Sequence, residues 1–275
     1  MNCRLMIVAG CWGGRSFLKD IFSTRPFRIV NVGQYNADND LYLMVMSASP
    51  GLLDKDHYEI SIKLESGTRL QLQSQAYQRL FKMVEGATQR ITITLERGSV
   101  FSYSPHPVVP HQNSKFNGHT VVHLGEDCRL LLSEIVTCGR KHSGEIFRFT
   151  SFQNLTEVYH QNILVVKDNI FLSPGLLPLC TIGMLGNYTH QGSLIYISTG
   201  KESISAHVDV IRELMQEEEG VDFGISKISV NGFVLRVLAQ GGEQLYNCFR
   251  NIQNTLWRHR VHEAGMSNHS NVFQV

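Results

Sequence analysis

This sequence predicts a mainly β, layered multi-stranded architecture with two α-helices. Three observations carry that expectation. Period-two alternation runs through the first two-thirds, one nearly continuous apolar stretch lies at 129–136, and the last third changes to helical spacing.

The first strand is expected over Arg4–Cys11, turning at Gly13-Gly14 into a second over Ser16–Ser23. In His57–Leu64, Tyr58, Ile60, Ile62 and Leu64 share one face, with Glu59, Ser61 and Lys63 on the other. Leu70 and Leu72 continue the pattern beyond a turn at Gly67. Ile91–Leu95 alternates in the same way, and Ile146–Phe149 reads as a further short strand. Arg129–Val136 contains LLLSEIV, as expected of a strand covered on both faces. Gln75–Glu85 is ambiguous: Ala76, Leu80, Met83 and Val84 fit helical spacing, yet the segment follows directly from an alternating strand. No internal repeat is evident.

In the last third, Ala206–Glu219 places Val208, Ile211, Leu214 and Met215 on one helical stripe. Gly224–Val230 and Phe233–Ala239 flank Asn231-Gly232, the strongest short hairpin signal, since both residues of such a turn take positive φ. A second helix, about Glu243–Arg258, aligns Leu245, Cys248, Phe249, Ile252 and Leu256, with Arg258 and His259 suited to its negative end. The expected organisation is a layered β region, 1–200, an α-β-β-α unit, 201–260, packed on it in one compact domain, and a frayed tail, 261–275.

With 275 residues there is ample chain for a real core. Lys plus Arg is 25 against 24 Asp plus Glu, which argues against a nucleic-acid binder. Leu5–Cys11 behind the single Arg4 is too short for a signal peptide. The uncharged Ile170–Tyr188 carries Pro174, Pro178 and three glycines, too many breakers for a spanning helix. Six scattered cysteines without a C-x-x-C pair read as buried thiols in a reducing compartment. No membrane partner and a cytoplasmic location are expected.

Catalytic signatures are absent: no G-x-S-x-G, P-loop, H-E-x-x-H or dinucleotide fingerprint. Gly10–Gly14 has no helix pattern after it and is not expected to cradle phosphate. His106, His111, His119 and His123 are clustered in sequence, and imidazole is a good transition-metal ligand. Their spacing fits no compact site and favours surface and turn histidines; a metal-dependent hydrolase is the alternative reading. Glu134 interrupts the most apolar run, where a carboxylate is costly unless paired or lining a polar cavity. Arg140 and Glu145 follow shortly after. A structural salt bridge and a cation-passing channel both remain open from these residues alone.

Several ordered elements resemble the UreD/UreH urease accessory proteins. Ser49-Pro50-Gly51 is followed by Asp56-His57-Tyr58; Gln73-Ser74-Gln75 is followed by Arg79, with Gln73 where the family usually has Thr. Phe101 leads to Pro105, Pro107 and Pro110, and Glu134 is followed by Gly139-Arg140 and Gly144-Glu145. The resemblance spans nearly the whole chain. It implies a mainly β fold with two helices and a non-catalytic role in urease maturation. It implies binding to UreF, through it to the GTPase UreG, docking on apo-urease, and a dimer of such heterocomplexes. Nickel would pass through a polar tunnel with no tightly bound cofactor. Asp56, Glu134 and Glu145 are the tunnel-lining candidates, with Arg140, Gln75, Pro105, Pro107 and Pro110 as organising residues. His106 and His111 inherit no nickel role. An assembly scaffold that never touches nickel is the other alternative. The chain alone is expected to be poorly soluble, because a protein that works inside a complex exposes apolar interface.

Overall fold

The computed structural model describes residues 1–33, 38–201 and 203–258. The chain runs β1 (Asn2–Trp12), β2 (Arg15–Ser23), β3 (Phe27–Asn31), β4 (Leu41–Ser47), β5 (His57–Leu64), β6 (Arg69–Ser74), β7 (Gln78–Leu80), β8 (Ala87–Leu95), β9 (Val100–Ser104), β10 (Val108–Pro110), β11 (Lys115–Leu124) and β12 (Arg129–Thr137). It continues through β13 (Ser151–His160), β14 (Ile163–Leu172), β15 (His190–Ser198), α1 (Ser205–Gln216), β16 (Asp222–Lys227), β17 (Gly232–Ala239) and α2 (Gly242–Arg258). The strands form two sheets, ordered β14-β13-β11-β8-β5-β1-β2 and β16-β17-β15-β12-β9-β6-β4-β3. The mainly β fold with two late helices is as expected.

From β5 to β13 the chain crosses back and forth between the sheets. β5, β8, β11 and β13 lie parallel in one; β6, β9 and β12 lie parallel in the other. Three crossings use equivalent tight turns: Leu64-Glu65-Ser66-Gly67-Thr68-Arg69-Leu70, Leu95-Glu96-Arg97-Gly98-Ser99-Val100-Phe101 and Leu124-Gly125-Glu126-Asp127-Cys128-Arg129-Leu130. Gly67 (φ 73°), Gly98 (φ 72°) and Asp127 (φ 55°) take the left-handed position, which glycine and aspartate tolerate best. The turns stack: Gly67 N–H donates to Arg97 O at 2.9 Å, and Gly98 N–H to Glu126 O at 2.9 Å. This is a short structural repeat, and it corrects the expectation of none. The turns share a leading Leu at 64, 95 and 124 and an apolar residue six places on, but the match is too short to stand out without the backbone geometry.

The space between the sheets holds one apolar core, including Leu5, Ile7, Ile62, Leu72, Ile93, Phe101, Leu130 and Phe152. β12 is covered on both faces, as its apolar run requires. Leu130, Leu132 and Val136 face the other sheet; Leu131 and Ile135 face the helices. On that outer side Val208, Ile211 and Met215 of α1 and Leu245, Cys248, Phe249, Ile252 and Leu256 of α2 form a second core. The end of α2 is pinned to the sheet. Trp257 Nε1 and Arg69 Nε both donate to Asp40, at 3.0 and 2.8 Å, and the Arg69 guanidinium lies 4.7 Å from the Trp257 ring centre.

Several expectations differ locally. Ile146–Phe149 is not a strand: Phe147 sits at φ 52° and donates its N–H to Cys138 O, so the chain turns there. Gln75–Glu85, ambiguous from its spacing, is extended and contains no helix. Leu80 and Met83 are buried while Val84 is exposed, and extended pairing of β7 with β10 wins. α1 stops at Gln216 rather than Glu219, because Glu217-Glu218-Glu219 would place three carboxylates at the negative helix end. Asn231-Gly232 does not form a two-residue turn. The last hairpin pair is Lys227 with Phe233, and Gly232 lies within β17, where a Cβ would come 2.5 Å from Tyr196 O. Close backbone approach is what selects glycine there. All six cysteines are free thiols, but Cys180 is exposed and Cys11 half-buried. His259 and the 261–275 tail lie outside the described residues, and so does the Arg258 side chain.

Gly192 lets α2 settle on β15: a Cβ there would meet the Phe249 ring at 2.6 Å. Gly192→Ala is expected to lower stability by about 1–3 kcal/mol through overpacking. Chemical denaturation compared with wild type measures it, and an unchanged midpoint would show that the helix layer yields freely.

Candidate functional site

A polar row crosses the apolar space between the sheets. In one sheet, pairing aligns Tyr58 with Gln89, Gln89 with Gly118, and Gly118 with Asn154. In the other it aligns Glu134 with Ser193, and Ser193 with Arg236. Each lies at an inward position of its strand, where neighbours two residues away belong to the core: Ile60, Ile91, Phe152, Leu132, Ile195. The alternation that builds the core therefore also directs these groups at one another.

Contacts join the two halves of the row. The Glu134 carboxyl pairs with the side chain of Asn154. Ser193 Oγ donates to Asp168 Oδ2 at 3.2 Å, and Arg236 Nη2 donates to Asp168 Oδ1. Gln78 Nε2 donates to Gln89 Oε1 at 2.9 Å. Gly118 makes the row possible, since a Cβ there would come 2.2 Å from Asn154 Oδ1. Burial pushes the Glu134 carboxyl up to about 7; the nearby Asp168 charge adds to this, while Asn154 and Arg236 oppose it. Glu134 nonetheless keeps part of its surface accessible. Its surroundings are dense, yet its side chain is not fully sealed from solvent.

Both ends of the row meet clefts. One, of 360 Å³, is lined by Tyr58, Gln89, Tyr103, Gln75 and Arg79. The other, of 520 Å³, is lined by Arg236, Gln191, Ile170, Met184 and Leu238. Tyr103 and Tyr58 have hydroxyls raised to about 12, first by desolvation, so both remain neutral donors. The arrangement offers oxygen groups at intervals between the two clefts.

The residues singled out from the sequence do not gather at one point. Glu134 lies in the row. Asp56 is buried at the start of β5, where Oδ2 accepts the Leu53 N–H at 2.9 Å and Oδ1 lies 3.0 Å from the Met1 amine. Glu145 pairs with Arg140 near the surface and accepts the Gln112 N–H at 3.2 Å; the Arg140 hydrogen bond holds its carboxyl below the usual range. Gln75 lines the smaller cleft and donates its N–H to Val45 O at 2.9 Å. Pro105 and Pro107 lead the chain out of β9, and Pro110 ends β10. Pro107 O accepts the Gln78 N–H, which ties this turn to β7.

The four clustered histidines separate. His106 stacks on Tyr246, His111 packs against Phe81, His119 pairs with Glu157, and His123 stacks on Tyr159. His111 is buried, against the expectation of a surface residue. Among the described residues no group of three or more His, Cys, Asp or Glu side chains could hold a metal ion. Sequence reasoning missed Asn154, Asp168, Ser193 and Arg236. Asn154, Asp168 and Arg236 occupy inward positions of alternating strands, a signal that was open to reading once those strands were recognised.

Comparison with known proteins identifies the family. Residues 2–269 match the family model described as UreD urease accessory protein. A urease accessory protein UreD of Flavobacterium johnsoniae is 52% identical over 254 residues, covering 92% of each chain. One of Acetivibrio thermocellus is 34% identical over 255 residues, covering 92% of this chain and 97% of its own. One of Actinobacillus pleuropneumoniae serotype 3 is 34% identical over 249 residues, covering 88% and 92%. This chain belongs to the UreD family of urease accessory proteins.

Proposed function

We propose that this chain is a non-catalytic conduit in nickel loading of urease. It binds UreF and through it the GTPase UreG, docks this complex on apo-urease, and passes nickel along the seam between its sheets. The working form is a dimer of such heterocomplexes in the cytoplasm.

Glu134 is the observation that carries the reading. A carboxylate whose charged form is disfavoured by its own surroundings does not stabilise the fold. Its place midway along a polar row between two clefts suits a passing cation. Oxygens there replace part of the cation's hydration and hold it weakly enough to release it. Docking is supported by apolar side chains left at the surface, among them Trp12, Phe22, Leu176 and Ile182. Among the described residues no helix is long and apolar enough to cross a membrane.

Co-purification of the tagged chain with UreF and UreG tests the assembly directly. A stable complex that activates apo-urease with nickel and GTP is expected; no association would overturn it. Glu134→Gln then separates conduit from scaffold. The expected outcome is an intact complex with urease nickel content reduced roughly tenfold. Loss of the complex with no separate transport defect would favour the scaffold.

The pH dependence of stability follows from the same carboxyl. Between 4.5, the ordinary value, and about 7, the folded protein holds a proton that the unfolded chain releases. Glu134 therefore lowers stability progressively as pH rises through that window. Glu134→Gln is expected to be more stable than wild type at pH 8 by about 1–3 kcal/mol, with the difference vanishing near pH 4. Denaturation midpoints at both pH values measure this, and a variant less stable at pH 8 would contradict it.

A further inference from the structure

We propose that the Arg236–Asp168 ion pair is a cation-exchange gate at the larger cleft, where an incoming divalent cation takes Asp168 as the guanidinium swings out. The inference rests on the conduit reading above and adds to it a residue that controls entry.

The two partners are unequally placed. The Asp168 side chain is 10% exposed, whereas that of Arg236 is 47% exposed and lines the cleft. Arg236 can move its charge into water while its stem stays packed. Asp168 cannot follow, and a buried carboxylate without a counter-charge is strongly disfavoured. Asp168 therefore needs some cation at all times, and the guanidinium is the one that can leave.

The bonding favours exchange. Arg236 reaches Asp168 through Nη2 to Oδ1, while Oδ2 takes the Ser193 hydroxyl. The fork geometry that makes arginine–carboxylate pairs strong is thus not used. A dication in the same low-dielectric position interacts with the carboxylate more strongly than a single charge does. Glu134 stands deeper in the row, within electrostatic reach of both Asp168 and Arg236. A cation that has displaced the guanidinium finds its next carboxyl there, with the Asn154 side chain beside it. Arg236 touches the path rather than any reacting atoms, so its role is positional and selective.

The test uses the full accessory assembly with apo-urease and nickel ions. The readout is the nickel concentration that gives half-maximal metal content in urease, with assembly checked by size-exclusion chromatography. Arg236→Gln is expected to lower that concentration roughly tenfold, the inverse of a competent fraction of about one tenth. Adding Asp168→Asn to Arg236→Gln is expected to remove the gain. Should Arg236→Gln fail to assemble, Arg236→Lys keeps the charge with a shorter reach and is expected to shift the midpoint the same way by a smaller factor. An intact Arg236→Gln assembly with an unchanged or higher midpoint overturns the gate, as does an unshifted Arg236→Lys assembly. Glu134→Gln run alongside tells the two failures apart. If it lowers nickel content while Arg236→Gln shifts nothing, the gate alone is wrong. If it also leaves nickel content unchanged, the conduit itself is wrong, and the gate with it.

Discussion

Everything in this protein depends on the stacked crossings that carry the chain from one sheet to the other. Each turn at Gly67, Gly98 and Asp127 ends a strand in one layer and begins the next strand in the opposite layer. The strands they join therefore run parallel and in register with their neighbours, while β14, β15 and β17 add to the sheets antiparallel. Inward positions line up in rows across the sheets, so a polar residue in a row has polar neighbours beside it and others across from it. Alternation within a strand has only to choose inside or outside; the crossings align the choices.

A polar row inside an apolar sandwich works against stability, and the local details show how the fold accommodates it. Gly118 gives up a side chain so that Asn154 can reach Glu134. Ser193 and Arg236 satisfy both oxygens of Asp168. The helices cover the far side of β12, so the strand that carries Glu134 is held on both faces. The second core on that side contains none of these polar groups, and it supplies rigidity without taking part in the row.

Much of this was legible in the sequence. The period-two strands, the doubly covered β12 and both helices follow from side-chain periodicity, which records burial directly. Glu134 stood out because a carboxylate within LLLSEIV conflicts with its surroundings. What stayed hidden involved long-range pairing or backbone shape. Asp168 shares the buried face of its strand with Val166, Ile170 and Leu172, but only long-range pairing shows that its partner is Arg236. The turn repeat escaped notice because it is only seven residues long and its left-handed position is met once by Asp127 instead of glycine. Ile146–Phe149 alternates in sequence, yet one backbone turn at Phe147 overrides four side chains. Asp56 was picked out by a family pattern, and Arg140 and Glu145 by their place after Glu134 as well; their contacts tie loops together, at Leu53 and at Gln112.

The stacked turns also bear on how such a protein can change over generations. A rung that pairs only with the rungs beside it can be duplicated or lost without disturbing the register of those farther away. The distance between the two openings is then set by the number of rungs and not by any individual side chain. Lineages can lengthen or shorten the polar row in steps of one crossing while the helices and the outer strands keep their places.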